Sequence, residues 1–165
     1  TKDCDTVNIC LSKGLGAPCG SVIFIKDKQY ERAKEIRQAL GGNMRQAGIL
    51  AAPALIGLED YEQRFENDHK NAKIISKELD NIKGLLSPSP DSNIVTVYLD
   101  KQYLSYDIID DFIQYLEKEF NILVLHINNK KYIRCVLHHQ VTLDQVNLAI
   151  KGFEKTVEYF MNNKK

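Results

Sequence analysis

Apolar residues along this chain change their period several times, and each change marks an element. Two short runs, "TVNICL" at 6–11 and "SVIFI" at Ser21–Ile25, are rich in Val, Ile and Phe and bounded by glycines, so they read as short buried strands. Tyr30, Ala33, Ile36 and Leu40 then follow at helical spacing, which predicts a helix over 27–40 capped by Asp27 and ended by Gly41 and Gly42. A second helical pattern runs over 44–79 through Ile49, Leu55, Leu58, Tyr61, Phe65, Ala72, Ile75 and Leu79. Pro53 interrupts it and should kink the helix or mark the start of another, because proline has no amide hydrogen to donate.

"KGLLSPSPDSN", 83–93, is rich in turn formers and is the best candidate boundary in the chain. Beyond it the pattern predicts a strand at Ile94–Leu99, a helix over 106–119 with Ile109, Phe112, Ile113 and Leu116 inward, and strands at 122–127 and 132–137. Thr142 with Gln145 three residues on is a capping box, opening a last helix whose stripe is Val146, Ile150, Phe153, Val157 and Phe160. These elements make a compact βαββα unit. No internal repeat or low-complexity segment is evident.

With 165 residues, 44% of them hydrophobic, the chain can form one or two small domains with a true core. Its 22 basic and 22 acidic residues cancel, and no basic run is longer than the paired lysines of "NNKK", at 128–131 and at the close, which argues against nucleic acid or an anionic membrane as partner. No apolar stretch approaches the roughly 20 residues of a membrane span. The opening "TKDCDT" lacks the layout of a signal peptide, so a soluble, cytoplasmic protein is expected. Cys4, Cys10, Cys19 and Cys135 form no C-x-x-C pair and are too sparse for a disulfide scaffold, which suggests a reducing compartment. Zinc held by the first three would match no usual spacing; small buried hydrophobes are the better reading, and no metal is expected.

The segment "CLSKGLGAPCGS" crowds three glycines and a proline around Lys13, just past the end of the first predicted strand. That is the sheet edge at which open α/β folds bind ligands. Two phosphate motifs fail here. A Walker A loop needs its lysine after the glycines, and the G-x-G-x-x-G fingerprint would put its third glycine at Cys19 with a helix, not a strand, to follow. What remains is a lysine used for its amine, which forms a Schiff base with a carbonyl such as the aldehyde of pyridoxal phosphate. An ordinary solvated lysine in a Gly-Pro loop is the alternative.

"DTVNICLSKGLGAPCGSV" followed by "LGGNMRQAGILAA" resembles the threonine aldolases, pyridoxal-phosphate lyases of the aspartate-aminotransferase-like fold. The likeness continues through "ENDHKNAK" and "YIRCVLHH" and covers essentially the whole chain. A lone S-K-G would be weak; the order, separation and residue types of the first two motifs are specific. The resemblance implies an α/β chain forming the carboxyl-terminal part of a type I pyridoxal-phosphate enzyme. Residues 1–45 would end the large cofactor-binding domain, 46–82 would be a long connecting helical segment, and 83–165 a small αβ domain.

Carried over by position, the resemblance makes Lys13 the Schiff-base lysine. It makes Arg45 in "MRQAG" a ligand of the cofactor phosphate, reaching across a subunit interface, and Arg134 in "YIRCVLHH" the group that grips the substrate α-carboxylate. A guanidinium suits bidentate carboxylate binding where an ammonium does not. On residues alone, Arg45 reads equally well as a surface residue at a helix start. Arg134 sits among Tyr132, Ile133, Cys135 and Val136, where an unpaired charge is costly. His138 and His139 read as loop or core histidines, with facing the site as the alternative, and His69 as packing or interface. The chain departs from the family at Gln38, Pro53 and Leu137, which bears on cofactor affinity and loop packing.

In the family the equivalent of Lys13 lies past the middle of the chain. The part before it carries the phosphate loop, the ring-stacking histidine and the aspartate of the pyridine nitrogen, none of which occurs here. The expectation is a carboxyl-terminal part that needs an amino-terminal segment to cover its first strands. In the intact enzyme, pyridoxal 5'-phosphate would serve the cleavage of L-threonine or L-allo-threonine to glycine and acetaldehyde, in threonine catabolism and glycine biosynthesis. The chain alone would be inactive, and the enzyme a dimer or homotetramer with shared sites. A β-eliminating lyase of the same fold and a non-catalytic αβ module are the rival readings.

Overall fold

Thr6–Cys10 (β1) and Ser21–Ile25 (β2) pair antiparallel over their whole length, from Thr6 opposite Ile25 to Cys10 opposite Ser21. The computed structural model describes residues 2–127, 129 and 131–163, and divides after Tyr61 into two compact units. The first unit adds a 3-10 turn at Asp27–Gln29 and the helices Tyr30–Ala39 (α1) and Gly48–Gly57 (α2). Asp27 lies inside that turn, not at a cap: Lys26 precedes it in extended conformation and makes no side-chain cap bond. The end of α1 is as expected. Gly41 takes φ +77°, its N–H donates to the Gln38 carbonyl at 3.1 Å, and the Gly42 N–H donates to the Arg37 carbonyl at 2.8 Å, the Schellman pattern that satisfies the last carbonyls of a helix.

The two strands are not buried as their composition suggests. Ile23 is 61% exposed and Phe24 50%, and Tyr30, Ile36 and Leu40 of the α1 stripe are open as well. A two-stranded ribbon with two ten-residue helices has too little partner surface to cover its own apolar faces. The three cysteines of this unit share that fate: Cys4 and Cys19 are exposed and Cys10 is half-buried, so only Cys135 behaves as the small core hydrophobe expected of all four.

The long helical pattern also divides elsewhere than expected. Pro53 stays inside α2, and the chain breaks after Gly57, where Leu58 and Glu59 close short turns onto the carbonyls of Leu55 and Ile56. The next helix, α3, spans Tyr61–Asp80.

The second unit contains α3 from Glu62 onward, Leu85–Leu86 (β3), Ile94–Leu99 (β4), Ile109–Phe120 (α4), Leu125–Ile127 (β5), Tyr132–Val136 (β6) and Leu143–Asn162 (α5). Its strands form one antiparallel sheet in the order β3-β4-β6-β5. The βαββα unit is thus present, with β3 added at one edge; two leucines in a turn-rich stretch carry no alternation from which to predict a strand. Val95, Val97, Leu99, Ile133 and Cys135 point to one face, where they pack against Ala72, Ile75 and Leu79 of α3, Phe112 and Leu116 of α4, and Val146, Phe153 and Val157 of α5. β5 is shorter than the predicted 122–127. Asn121 turns left-handed at φ +55° and the Ile122 N–H reaches back to the Leu116 carbonyl at 3.2 Å, so 121–124 wrap the end of α4. The Thr142–Gln145 capping box is formed as read, with Gln145 N–H to Thr142 Oγ1 at 3.3 Å and Thr142 N–H to Gln145 Oε1 at 2.8 Å. Among the described residues no helix is long and apolar enough to cross a membrane.

Candidate functional site

The Lys13 loop is a ten-residue connection, 11–20, tied at several points. Leu11 N–H donates to the Gly20 carbonyl and Ala17 N–H to the Leu11 carbonyl, both at 2.9 Å, which continues the β1–β2 ladder into the loop. Gly16 N–H donates to the Lys13 carbonyl at 2.8 Å, closing a turn that needs φ +75° at Gly16 itself. A side chain there would be strained. Leu15 and Ala17 are buried, while Lys13 stands exposed between them and the strand. α2 fixes the loop from the other side: Gly57 comes so close that a Cβ on it would overlap the Leu15 carbonyl oxygen.

Lys13 has no acidic partner among the described residues. Its charge acts on Cys10. The thiol of Cys10 is held below its ordinary value by hydrogen bonds with Ser12, whose Oγ lies 3.2 Å from the sulfur, and further by the positive charge of Lys13. Arg45 lies in the turn leading into α2, next to Gln46 at φ +51°, and is exposed without an acidic partner among the described residues. Lys13 and Arg45 therefore belong to the first unit and Arg134 to the second.

Arg134 is the middle residue of β6, paired with Thr96 on β4 and Leu125 on β5. Burial alternates along the strand, with Ile133 and Cys135 in the core and Arg134 half-buried on the opposite face. No acidic side chain among the described residues pairs with it. The end of the strand is clamped: Leu137 N–H donates to the Asn93 carbonyl at 2.9 Å, and Asn93 Nδ2 donates to the Leu137 carbonyl at 2.6 Å.

His138 and His139, just past that clamp, are exposed, with ring centroids 6.3 Å apart; they are loop histidines. His69 on α3 is exposed too. Asp68 beside it is 6% exposed, and its burial pushes the carboxyl above the ordinary 3.8, opposed by the positive charges of His139, His138, His69 and Arg64. A cavity of about 350 Å³ opens beside it, lined also by Lys70 and Asn71. Sequence reasoning passed over Asp68, although it falls on the same helical stripe as Ala72, Ile75 and Leu79, and an acid on a core stripe is a visible signal. It also passed over Gly57, whose close approach to Leu15 depends on tertiary structure.

A family model for beta-eliminating lyases matches residues 1–102. The low-specificity L-threonine aldolase 1 of Arabidopsis thaliana is 36% identical over 156 residues, covering 94% of this chain and 43% of that protein. The low specificity L-threonine aldolase of Escherichia coli strain K12 is 33% identical over 146 residues, covering 88% of this chain and 41% of that protein. The chain thus spans less than half the length of these relatives. Among solved structures, an aminotransferase from Streptoalloteichus hindustanus superimposes with a TM-score of 0.74 at 13% identity, covering 94% of this chain and 53% of that one. At that identity the likeness is one of fold, and the α/β architecture of an aminotransferase-like chain is the one expected.

Proposed function

The chain belongs to the beta-eliminating lyase family, and from that premise we propose that it supplies Lys13, Arg45 and Arg134 to a pyridoxal-phosphate-dependent lyase. The reaction is cleavage of the Cα–Cβ bond of L-threonine or L-allo-threonine to glycine and acetaldehyde. The observation that carries the reading is the placement of Lys13: an exposed amine on a loop tied to the ladder and pressed from behind by Gly57. The curated relatives named low-specificity L-threonine aldolase support the choice of reaction.

The residues present fit a phosphorylated aldehyde cofactor. Lys13 offers a primary amine for a covalent link to the carbonyl carbon, and Arg45 offers an exposed guanidinium suited to a phosphate. When bound, pyridoxal phosphate supplies the electron sink that accepts the pair left on Cα as the Cα–Cβ bond breaks. The protein's own part is binding and proton handling. Arg134 holds the α-carboxylate through two N–H donors and so fixes the rotation of the substrate about its Cα. Lys13 would hold the cofactor through its amine, and that amine would carry a proton to Cα when the aldehyde has left. No histidine or carboxylate of this chain is assigned to the β-hydroxyl proton.

Further parts of the reading belong to the protein in which this chain works. They are a division at 45 and 82 into the end of a cofactor-binding domain, a connecting segment and a small domain; a dimer or tetramer with Arg45 serving a neighbour's phosphate; a cytoplasmic setting; and inactivity of the chain without the rest of the enzyme. A second reading, β-elimination, is favoured by the description of the matching family. Product analysis tests both. Acetaldehyde with glycine, lost in Lys13→Ala, supports aldol cleavage; a keto acid with ammonia replaces it with β-elimination; and near-native turnover by Lys13→Ala overturns the role of Lys13 in either.

A further inference from the structure

Residues three and four apart share one side of a helix, so α3 sets Arg64, Asp68 and Asn71 in a row. The connection from β6 to α5 runs past this row, and a cavity of about 350 Å³ opens between the two. Its walls are tied to each other: Asn71 Nδ2 donates to the Val141 carbonyl at 3.3 Å, and Val141 N–H donates to the His138 carbonyl at 2.7 Å. α3 packs on the core side of the sheet, whereas Arg134 looks out from the opposite side, so the cavity is no part of the Arg134 face. Charge is sorted along its depth. Asp68 is the buried residue of the described lining, at 6% exposed, and its carboxyl takes no hydrogen bond from the described residues. Lys70 and His139 are exposed and stand at the rim.

We propose that this cavity is a binding site for a small apolar α-amino acid, which points its ammonium inward to Asp68 and its carboxylate outward to the Lys70 ammonium and the His139 ring N–H. A buried carboxyl without donors is costly, and burial raises Asp68 even with the positive charges of His139, His138, His69 and Arg64 around it. An ammonium supplies both the charge and the hydrogen bonds that the group is short of. The order of charges selects the ligand. A simple anion entering past the rim would meet Asp68, and a simple cation would have to pass Lys70 and His139, whereas a zwitterion with adjacent opposite charges meets an attractive partner at each end. Val141 and Leu143 supply the apolar wall for a short side chain. The volume falls in the range of small-molecule sites, roughly 300 Å³ and upward. The site does not depend on the roles proposed for Lys13 and Arg134.

The test is an NMR titration of the 165-residue chain with L-alanine, reading the His139 ring and the Asn71 side-chain amide. Propionate and ethylammonium are the controls, since each keeps the methyl group and one of the two charges. The expected result is saturable shifts at both groups with L-alanine, and binding of either control weaker by about tenfold or more, the range of one hydrogen bond to a charged partner. Asp68→Asn and Lys70→Gln, each confirmed folded by its spectrum, should weaken L-alanine by about tenfold, and Arg134→Gln should leave it unchanged. Propionate or ethylammonium binding as tightly as L-alanine overturns the proposal, because one charge would then suffice. Silence at His139 and Asn71, or shifts that persist at equal affinity in both Asp68→Asn and Lys70→Gln, overturns it as well. Shifts confined to the surroundings of Arg134 overturn it and leave the carboxylate role standing.

Discussion

Cys10, three residues before Lys13, is a chemical reporter for the loop. Its thiol lies below its ordinary value through Ser12 and Lys13, whereas burial pushes Cys135 up to about 12. Since the thiolate is the reactive form, iodoacetamide near neutral pH should alkylate Cys10 first and leave Cys135 untouched in the folded chain, as peptide mapping would show. Equal labelling of the two would contradict the described loop. At Arg134, proposed above to grip the substrate carboxylate, Arg134→Lys should weaken carboxylate binding by about ten- to a hundredfold, the loss of one charge-assisted hydrogen bond, with the fold intact by circular dichroism.

Asp68 makes a prediction about pH. A carboxyl raised on folding contributes its full stability only below its unfolded value, and that stability is lost as pH rises through the raised one. Denaturant midpoints of Asp68→Asn and wild type should coincide below the ordinary 3.8 and separate in the variant's favour above it, with the histidines at 69, 138 and 139 facing the group in both. Lys13 and Arg45 could be singled out in the sequence because two long motifs carried them, and Arg134 because the shorter "YIRCVLHH" did. Asp68 was legible too, since it falls on the stripe of Ala72, Ile75 and Leu79, but the reading of α3 followed only the apolar members of that stripe.

Among the elements, α2 and the Lys13 loop depend on each other through Gly57. Gly57→Leu should push the Leu15 backbone away and lower covalent labelling of Lys13 by pyridoxal phosphate, while the second unit keeps its melting behaviour. Unchanged labelling would show that α2 does not position the loop. α3 and β4 are tied differently, through buried hydroxyls. Ser76 Oγ donates to the Ser87 carbonyl at 3.0 Å, and Ser87 Oγ lies 3.2 Å from the Thr96 carbonyl oxygen. Ser76→Ala leaves these groups short of a partner and should cost about 1–2 kcal/mol in denaturant unfolding. Caps and stripes at this scale were legible, since the Thr142 capping box and the Gly41–Gly42 stop are local chemistry. The break after Gly57 was not. Proline is the local signal for a break, and a glycine chosen for its contact with another segment leaves no periodic trace.

At the scale of the whole molecule, the βαββα grouping beyond residue 83 was readable because each element buries its own stripe against the others. The burial of β1 and β2 was not, since their composition describes an environment that the first unit does not itself provide: Ile9, Ile23 and Phe24 remain open. The chain spans 43% of its Arabidopsis relative, and the account places its chemistry at Lys13 in that same open unit. The most direct test is to incubate the protein with pyridoxal phosphate, reduce with borohydride, and map the product by intact mass and peptide analysis. A single phosphopyridoxyl group on Lys13, absent in Lys13→Ala, is the predicted result. No adduct at Lys13, or label scattered over the surface lysines, would contradict its assignment as the cofactor-binding amine.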